Sequence, residues 1–215
     1  MIEEIKQSTS EKLLLGFFII LGVIVFYIFI ILPQKCLFVE DYDPKELSFN
    51  NPKNIAVLNV ECGNVIIKLY PDISPKSVKR FKMLIQSDRY SNIAFHRVIK
   101  NVLVQAGDLE FGKKGNINYT YIGSGKSGFG TIKSEFDKTF KFEKGTVAMV
   151  RLNKKDTEDS QFFILLQDSP AFNGRYTPIG KVLYGIEALK KIKNNDRNDY
   201  VPRPDYINSF KLLVN

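Results

Sequence analysis

The 215-residue sequence has no tryptophan, one histidine and two cysteines. His96 alone cannot make a histidine-rich metal centre. Cys36 and Cys62 supply neither a disulfide framework nor a four-thiolate zinc site. Both thiols are expected to be free, Cys62 packed as a small apolar residue and Cys36 on an exposed segment. No metal and no cofactor is expected. The 14 glycines and 9 prolines show no period, which excludes collagen-like and repeat architectures. With 44% apolar and 13% aromatic residues the chain is not disordered, and its length suits one domain with a proper core.

Phosphate-binding and nucleophilic motifs are missing too. Gly125-Lys126-Ser127 resembles the end of a P-loop, but Thr120 stands where that motif needs its first glycine. Gly123, Gly125 and Gly128 match a dinucleotide spacing, yet Gly128-Phe129-Gly130 prevents the helix start that both motifs require. This stretch reads as a flexible surface loop. No GxSxG elbow or cysteine partner accompanies His96, so a packed or hydrogen-bonded imidazole is the better reading.

What the chain does have is one long apolar run. Residues 13–32 hold 20 residues without a charge or amide. At ~1.5 Å per residue a helix of that length spans ~30 Å, the thickness of a bilayer's hydrocarbon core. A cleaved signal peptide normally has only ~7–15 apolar residues and a small-residue cleavage site. Here the run ends in Pro33-Gln34-Lys35 instead. The expectation is an uncleaved signal anchor: a short polar head (1–12), a transmembrane helix (13–32), a stalk (33–52) and a folded domain (53–215). Lys6 and Lys12 on one side balance Lys35 and Lys45 on the other, so the positive-inside rule is even. A short head and a large C-terminal domain favour head-in, domain-out. That makes a single-pass membrane protein of the secretory pathway, its domain lumenal or extracellular. Asn118-Tyr119-Thr120 fits a glycosylation acceptor on that side.

Charge divides unevenly. Beyond Glu46 there are 27 Lys/Arg against 16 Asp/Glu, or about +11. The lysines are scattered, not gathered into tracts, and no nucleic-acid motif accompanies them. A solvated lysine surface, with no nucleic-acid partner, is therefore expected.

Short runs rich in β-branched residues at 55–60 and 65–70, parted by Cys62-Gly63-Asn64, read as a hairpin. Ser74 as cap, Pro75 in the first turn and an apolar stripe of Val78, Phe81, Met83, Leu84 and Ile85 predict a helix to about Ser87. Further strands are predicted at 93–99, 102–107, 147–151, 162–166, 177–183 and 207–214, with a second helix over 185–194. Seven or eight strands with two helices point to a mainly β domain: a closed, eight-stranded antiparallel barrel capped by the helices.

The informative polar residues lie inside apolar strands. Arg97 shares a strand face with Phe95 and Ile99 at i±2, and His96 is expected on the other face. Gln105 follows Val102-Leu103-Val104, and Gln161 precedes Phe162-Phe163-Ile164. A guanidinium and two carboxamides among large apolar side chains suit a peptide, not a metal or a phosphate chain.

Those motifs carry a resemblance. Phe95-His96-Arg97-Val98-Ile99, Gln105-Ala106-Gly107-Asp108, Gly123-Ser124-Gly125, Glu135-Phe136, Gly145-Thr146-Val147-Ala148-Met149, Ser160-Gln161-Phe162-Phe163-Ile164 and Gly180-Lys181-Val182 stand in the order seen in cyclophilins, the peptidyl-prolyl cis–trans isomerases. The likeness covers residues 55–214. It implies an eight-stranded barrel with two capping helices, and isomerisation of X–Pro bonds that assists the folding of secretory or membrane clients. By motif position, Arg97 would be catalytic and Gln105 and Gln161 would hold the peptide backbone. Phe95, Val102, Leu103, Phe163, Phe172 and Tyr176 would surround the proline, and Arg151 and Leu152 would line the neighbouring groove. The sequence departs from the family pattern at Val102 (usually Phe), Leu103 (Met), Ala171 (Trp or another large residue), Phe172 (Leu) and Tyr176 (His). Cyclosporin binding is accordingly expected to be weak or absent. The alternative is a weakly catalytic, cyclophilin-fold module that grips proline-containing peptides or a partner protein. Either would be monomeric.

Overall fold

The computed structural model describes residues 8–31, 34–194 and 200–213. Most of the polar head, Leu32 and Pro33 at the end of the expected span, and Val214 of the closing strand lie outside them. The chain divides into two compact units, Met1–Phe38 and Val39–Asn215.

In the first unit a helix, α1 (Thr9–Phe26), continues as a π-helical segment, Tyr27–Ile31. Ser8 and Glu11 form a reciprocal capping box: Ser8 N–H donates to the Glu11 carboxylate at 2.8 Å and Glu11 N–H to Ser8 Oγ at 3.3 Å. Together the two segments make one 23-residue helix, Thr9–Ile31, of mean hydropathy 3.1 with no residue of its most apolar stretch buried. It is long and apolar enough to cross a membrane.

The second unit is one antiparallel sheet. Its strands are β1 (Ile55–Val60), β2 (Gly63–Leu69), β3 (Arg97–Ile99), β4 (Leu103–Ala106), β5 (Thr146–Met149), β6 (Phe162–Leu165), β7 (Pro178–Tyr184) and β8 (Ser209–Leu212). They lie in the order β3-β4-β6-β5-β7-β2-β1-β8. The expected ring is thus a curled sheet with β3 and β8 at its edges. The gap is crossed by non-strand backbone: Asn92 N–H bonds to the Ile207 carbonyl at 2.7 Å and Phe95 N–H to Asp205 at 2.9 Å, around a single Ala94–Tyr206 bridge.

Helix α2 (Pro75–Gln86) lays its predicted stripe, with Val78, Phe81, Leu84 and Ile85 buried, against one face of the sheet. Phe81, Tyr90, Phe162 and Phe210 interlock there at ring-centroid distances of 5.1–5.9 Å. Ser74 does not cap α2 as expected: its hydroxyl donates to the Pro178 carbonyl at 2.5 Å. The Glu135 carboxylate takes over, accepting from Lys76 N–H (3.1 Å) and Ser77 N–H (2.9 Å). The second predicted helix is shorter than the pattern allowed, α3 (Ile186–Lys190), with Ala188 and Leu189 buried. Neither cysteine is free, contrary to expectation; Cys36 and Cys62 are both disulfide-bonded. A two-cysteine count excludes a framework but not one bridge. Part of the expected stalk is also tied down, since Asp41 accepts from Asn64 N–H at 2.7 Å and the Tyr42 and Tyr184 rings lie 5.2 Å apart.

Candidate active site

Four strands meet in one transverse row. Arg97 of β3 is directly opposite Gln105 of β4, Gln105 is opposite Phe163 of β6, and Phe163 is opposite Ala148 of β5. Directly opposed residues share a sheet face, so the pairing brings guanidinium, carboxamide and aromatic ring together on one surface. Ala148, in the same row, is fully buried. Around it lies an apolar cluster of Leu103, Phe142, Ala148, Phe163 and Leu165, flanked by Val102, Val150, Phe172 and Tyr176. Phe163, Phe172 and Tyr176 form a three-ring floor with centroids 4.8–5.6 Å apart. Above the floor opens a cleft of about 630 Å³, lined among others by Arg97, Gln105, Gly123, Arg151, Leu152 and Lys154.

The polar wall is a hydrogen-bond relay. Arg97 Nη1 donates to Gln105 Oε1 (3.4 Å), and Gln105 Nε2 donates to Gln161 Oε1 (3.1 Å). Gln161 Nε2 then donates to the Gly123 and Gly125 carbonyls (2.9 and 3.0 Å). Gln161's amide protons are thereby both used internally, so within the relay the donors left facing the cleft are Arg97's remaining N–H groups. The loop that ends the relay is not a free surface loop. Asp108, fully buried, accepts from Gly123 N–H (2.6 Å) and Gly125 N–H (3.1 Å) through Oδ2, and from Phe111 N–H (2.8 Å) and Glu110 N–H (3.2 Å) through Oδ1. A Cβ on Gly125 would sit 1.9 Å from that carboxylate, which is why glycine stands there.

His96 belongs to the same network. Its Nε2 lies 3.2 Å from Gln105 Nε2, so imidazole and guanidinium both meet Gln105. The expected alternation fails because the regular strand begins only at Arg97. Burial, opposed in part by the Asp108 charge, pushes the His96 imidazole down to about 4, which keeps it neutral and able to accept from Gln105. Arg151 is held by backbone: Nε donates to the Arg175 carbonyl (2.8 Å), Nη1 to Leu152 (2.9 Å) and Asn153 (3.2 Å), and the guanidinium lies 5.1 Å from the Tyr176 ring.

Of the residues singled out in the sequence, Arg97, Gln105, Arg151, Leu152, Phe163, Phe172 and Tyr176 line the cleft. Gln161 lines an adjoining pocket that shares Gly123, Arg151 and Leu152 with it. Leu103 and Val102 pack beneath the floor, and Phe95 is wholly buried away from the lining. Sequence reasoning missed Asp108, Gly123 and His96 as parts of the site. The signal for the first two was a lone acid just after a strand and 15 residues before a glycine pair, a separation that only loop closure makes short.

A peptide-sized cleft with the Arg97 guanidinium beside an aromatic floor, on a mainly β sheet, defines a class of peptide-binding β protein. The comparisons with known proteins make the class specific. The family described as cyclophilin type peptidyl-prolyl cis-trans isomerase/CLD matches residues 55–212. A probable peptidyl-prolyl cis-trans isomerase of Brucella suis is 39% identical over 161 residues, covering 73% of this chain and 81% of that protein. A peptidyl-prolyl cis-trans isomerase of Acinetobacter baylyi is 31% identical over 148 residues, 66% of this chain and 73% of that one. Among solved structures, a Cryptosporidium parvum cyclophilin crystallised in the presence of the dipeptide Ala-Pro superposes with a TM-score of 0.65 at 28% identity, covering 75% of this chain and 99% of that one. The chain belongs to the cyclophilin-type peptidyl-prolyl cis–trans isomerase family.

Proposed function

We propose that this protein isomerises X–Pro bonds in secretory or membrane client proteins, with Arg97 as the catalytic residue and the Phe163–Phe172–Tyr176 floor as the proline seat. The observation that carries this is the Arg97 guanidinium, fixed by Gln105 at the wall of the cleft and without an acidic partner among the described residues. The X–Pro bond rotates over ~18–20 kcal/mol because resonance keeps the amide planar. Twisting localises the lone pair on the prolyl nitrogen, and an N–H directed there stabilises the twisted state. An acceleration of ~10⁵ requires ~7 kcal/mol at ~1.36 per decade. One charge-assisted hydrogen bond is worth ~1.5–3 kcal/mol, so the rest comes from gripping the twisted peptide more tightly than the planar one.

The same reading places the domain on the lumenal or outer side, anchored through Thr9–Ile31. Three observations support it: the helix is apolar on every side, both cysteines are disulfide-bonded as in oxidising compartments, and Asn118 of the acceptor is exposed. A mass shift reversed by glycosidase would mark that side directly. The barrel is taken as closed through the 92–95 and 205–207 backbone bonds. Weak or absent cyclosporin binding goes with the small, exposed Ala171.

The test is exchange NMR of an Ala-Pro-containing peptide with the full chain in detergent micelles. Wild type should give exchange cross-peaks, and Arg97→Ala should slow the catalysed exchange by about a hundredfold, the value of one such bond. Exchange that survives the substitution would remove Arg97 from the chemistry. Peptide binding without exchange would leave the domain a peptide-gripping module.

A further inference from the structure

Resting on that reading, we propose that the cleft selects client segments with an acidic side chain within about three residues of the proline. The loop that follows Arg151 carries both signs of charge in sequence: Lys154, Lys155, Asp156, Glu158 and Asp159. The fold sorts them. Lys154 lines the cleft with Arg97 and Arg151, and Lys126 lines the adjoining pocket on the far side of Gly123. None of the acids lines the main cleft, and the one that lines the adjoining pocket, Asp159, is neutralised by Arg80. Asp156 accepts from Ser134 N–H at 2.8 Å. Glu158 is wholly buried behind Thr157 and accepts from Thr177 Oγ1 at 2.8 Å. Asp159 is buried and committed to Arg80 Nη1 at 2.9 Å and to Ser127 N–H at 2.9 Å. Glu110, the acid nearest Lys126, accepts from its backbone N–H at 3.3 Å.

The main cleft is therefore lined by three cations and no carboxylate. None of Arg97, Lys126, Arg151 and Lys154 is ion-paired among the described residues. Arg151 spends its hydrogen bonds on carbonyls, which hold the guanidinium in place without neutralising it. A peptide seated on the aromatic floor rises ~3.3 Å per residue as an extended chain, so neighbours of its proline pass these cations. Like-sign facing costs and opposite-sign facing helps, with an effect that ordinary salt screens over ~8–10 Å.

Three peptides decide the point, identical except that the residues two before and two after the proline are both Glu, both Gln or both Lys. Catalysed exchange and binding by NMR titration are measured with the full chain in neutral detergent, at low salt and again near 0.5 M NaCl. The expected order is Glu above Gln above Lys, with about three- to tenfold in kcat/KM between the ends of the series at low salt, shrinking at high salt. The double variant Lys126→Glu, Lys154→Glu should lower the Glu-to-Lys ratio below one. Equal rates for the three peptides, or a ratio that ignores both salt and the variant, would overturn the charge preference and leave the isomerase reading standing. Binding in the order Glu, Gln, Lys without any exchange would do the reverse. Neither binding nor exchange would remove both.

Discussion

Phe162 and Phe163 are neighbours on one strand, equally aromatic and both almost wholly buried, yet they serve two different regions. Phe162 points into the aromatic cluster with Phe81, Tyr90 and Phe210. Phe163 points the other way, to the floor under the cleft, beside Gln105 and within reach of three cations. The inner face is stabilised by exclusion of water, which is non-directional and tolerant of detail. The outer face depends on directed bonds, and its geometry rests on one buried carboxylate, Asp108. A β-strand turns this way at every residue; the lesson is that adjacent identical side chains divide between the inner core and the lining of the cleft by the parity of their position.

That division is broken most directly by truncating the two rings in turn. Phe162→Ala should cost about 4 kcal/mol in chemical denaturation and leave peptide affinity nearly unchanged in whatever fraction stays folded. Phe163→Ala should cost only about 2 kcal/mol, because its site already opens to solvent, while raising KM for an Ala-Pro peptide at least about tenfold. Similar profiles for the two variants would mean that the faces are not functionally distinct.

The outer face is tested next at its support. Asp108→Ala leaves the Gly123, Gly125 and Phe111 N–H groups without their acceptor. At ~1–3 kcal/mol for each such group, partly recovered by water, a loss of about 3 kcal/mol is expected. The kinetic signature is more specific: kcat should fall because the relay to Arg97 loses its end, and Gly125→Ala, whose Cβ meets the same carboxylate, should reproduce it.

The smallest effect separates two buried ionisable groups that pull stability in opposite directions. Burial raises the Glu158 carboxyl from 4.5 to about 7, so the folded protein keeps a proton that the unfolded chain sheds; its contribution is whole below about pH 4.5 and is lost as pH rises through 7. His96, pushed by burial from 6.5 to about 4, does the opposite, and stability falls as pH drops from about 6.5 toward 4. Between pH 5 and 6.5 the two slopes offset each other. Glu158→Gln should therefore be the more stable protein at pH 8 by about 1–2 kcal/mol and show only the acid-side decline. A denaturation series from pH 4.5 to 8 with unchanged slope above pH 6.5 would show that Glu158 titrates normally.

Most of the elements were legible because their causes are local. The apolar stripe of α2, the β-branched runs of β1 and β2, and the order of the motifs each depend on residues a few positions apart. Arg97, Gln105 and Gln161 could be singled out because a polar group inside an apolar run is unusual on its own terms. Less legible was anything set by a partner far along the chain. Ser74 has every local mark of a helix cap, yet the cap is Glu135, 59 residues from Lys76. His96 left the face assigned to it because the strand predicted from residue 93 begins only at Arg97.

The amino-acid sequence by itself determined the family, the mainly β architecture, the membrane-length apolar helix and the residues of the aromatic floor, since periodicity, run length and motif order are properties of neighbours. The tertiary structure alone decided that Asp108 holds the glycine loop, that both cysteines are disulfide-bonded, and that the mixed charges after Arg151 separate, Lys154 lining the cleft while Asp156, Glu158 and Asp159 bond to groups outside it. Those outcomes come from loop closure: Asp108 and Gly123 are 15 residues apart and Arg80 and Asp159 are 79 apart, and which groups meet is settled only when the sheet brings the loops together.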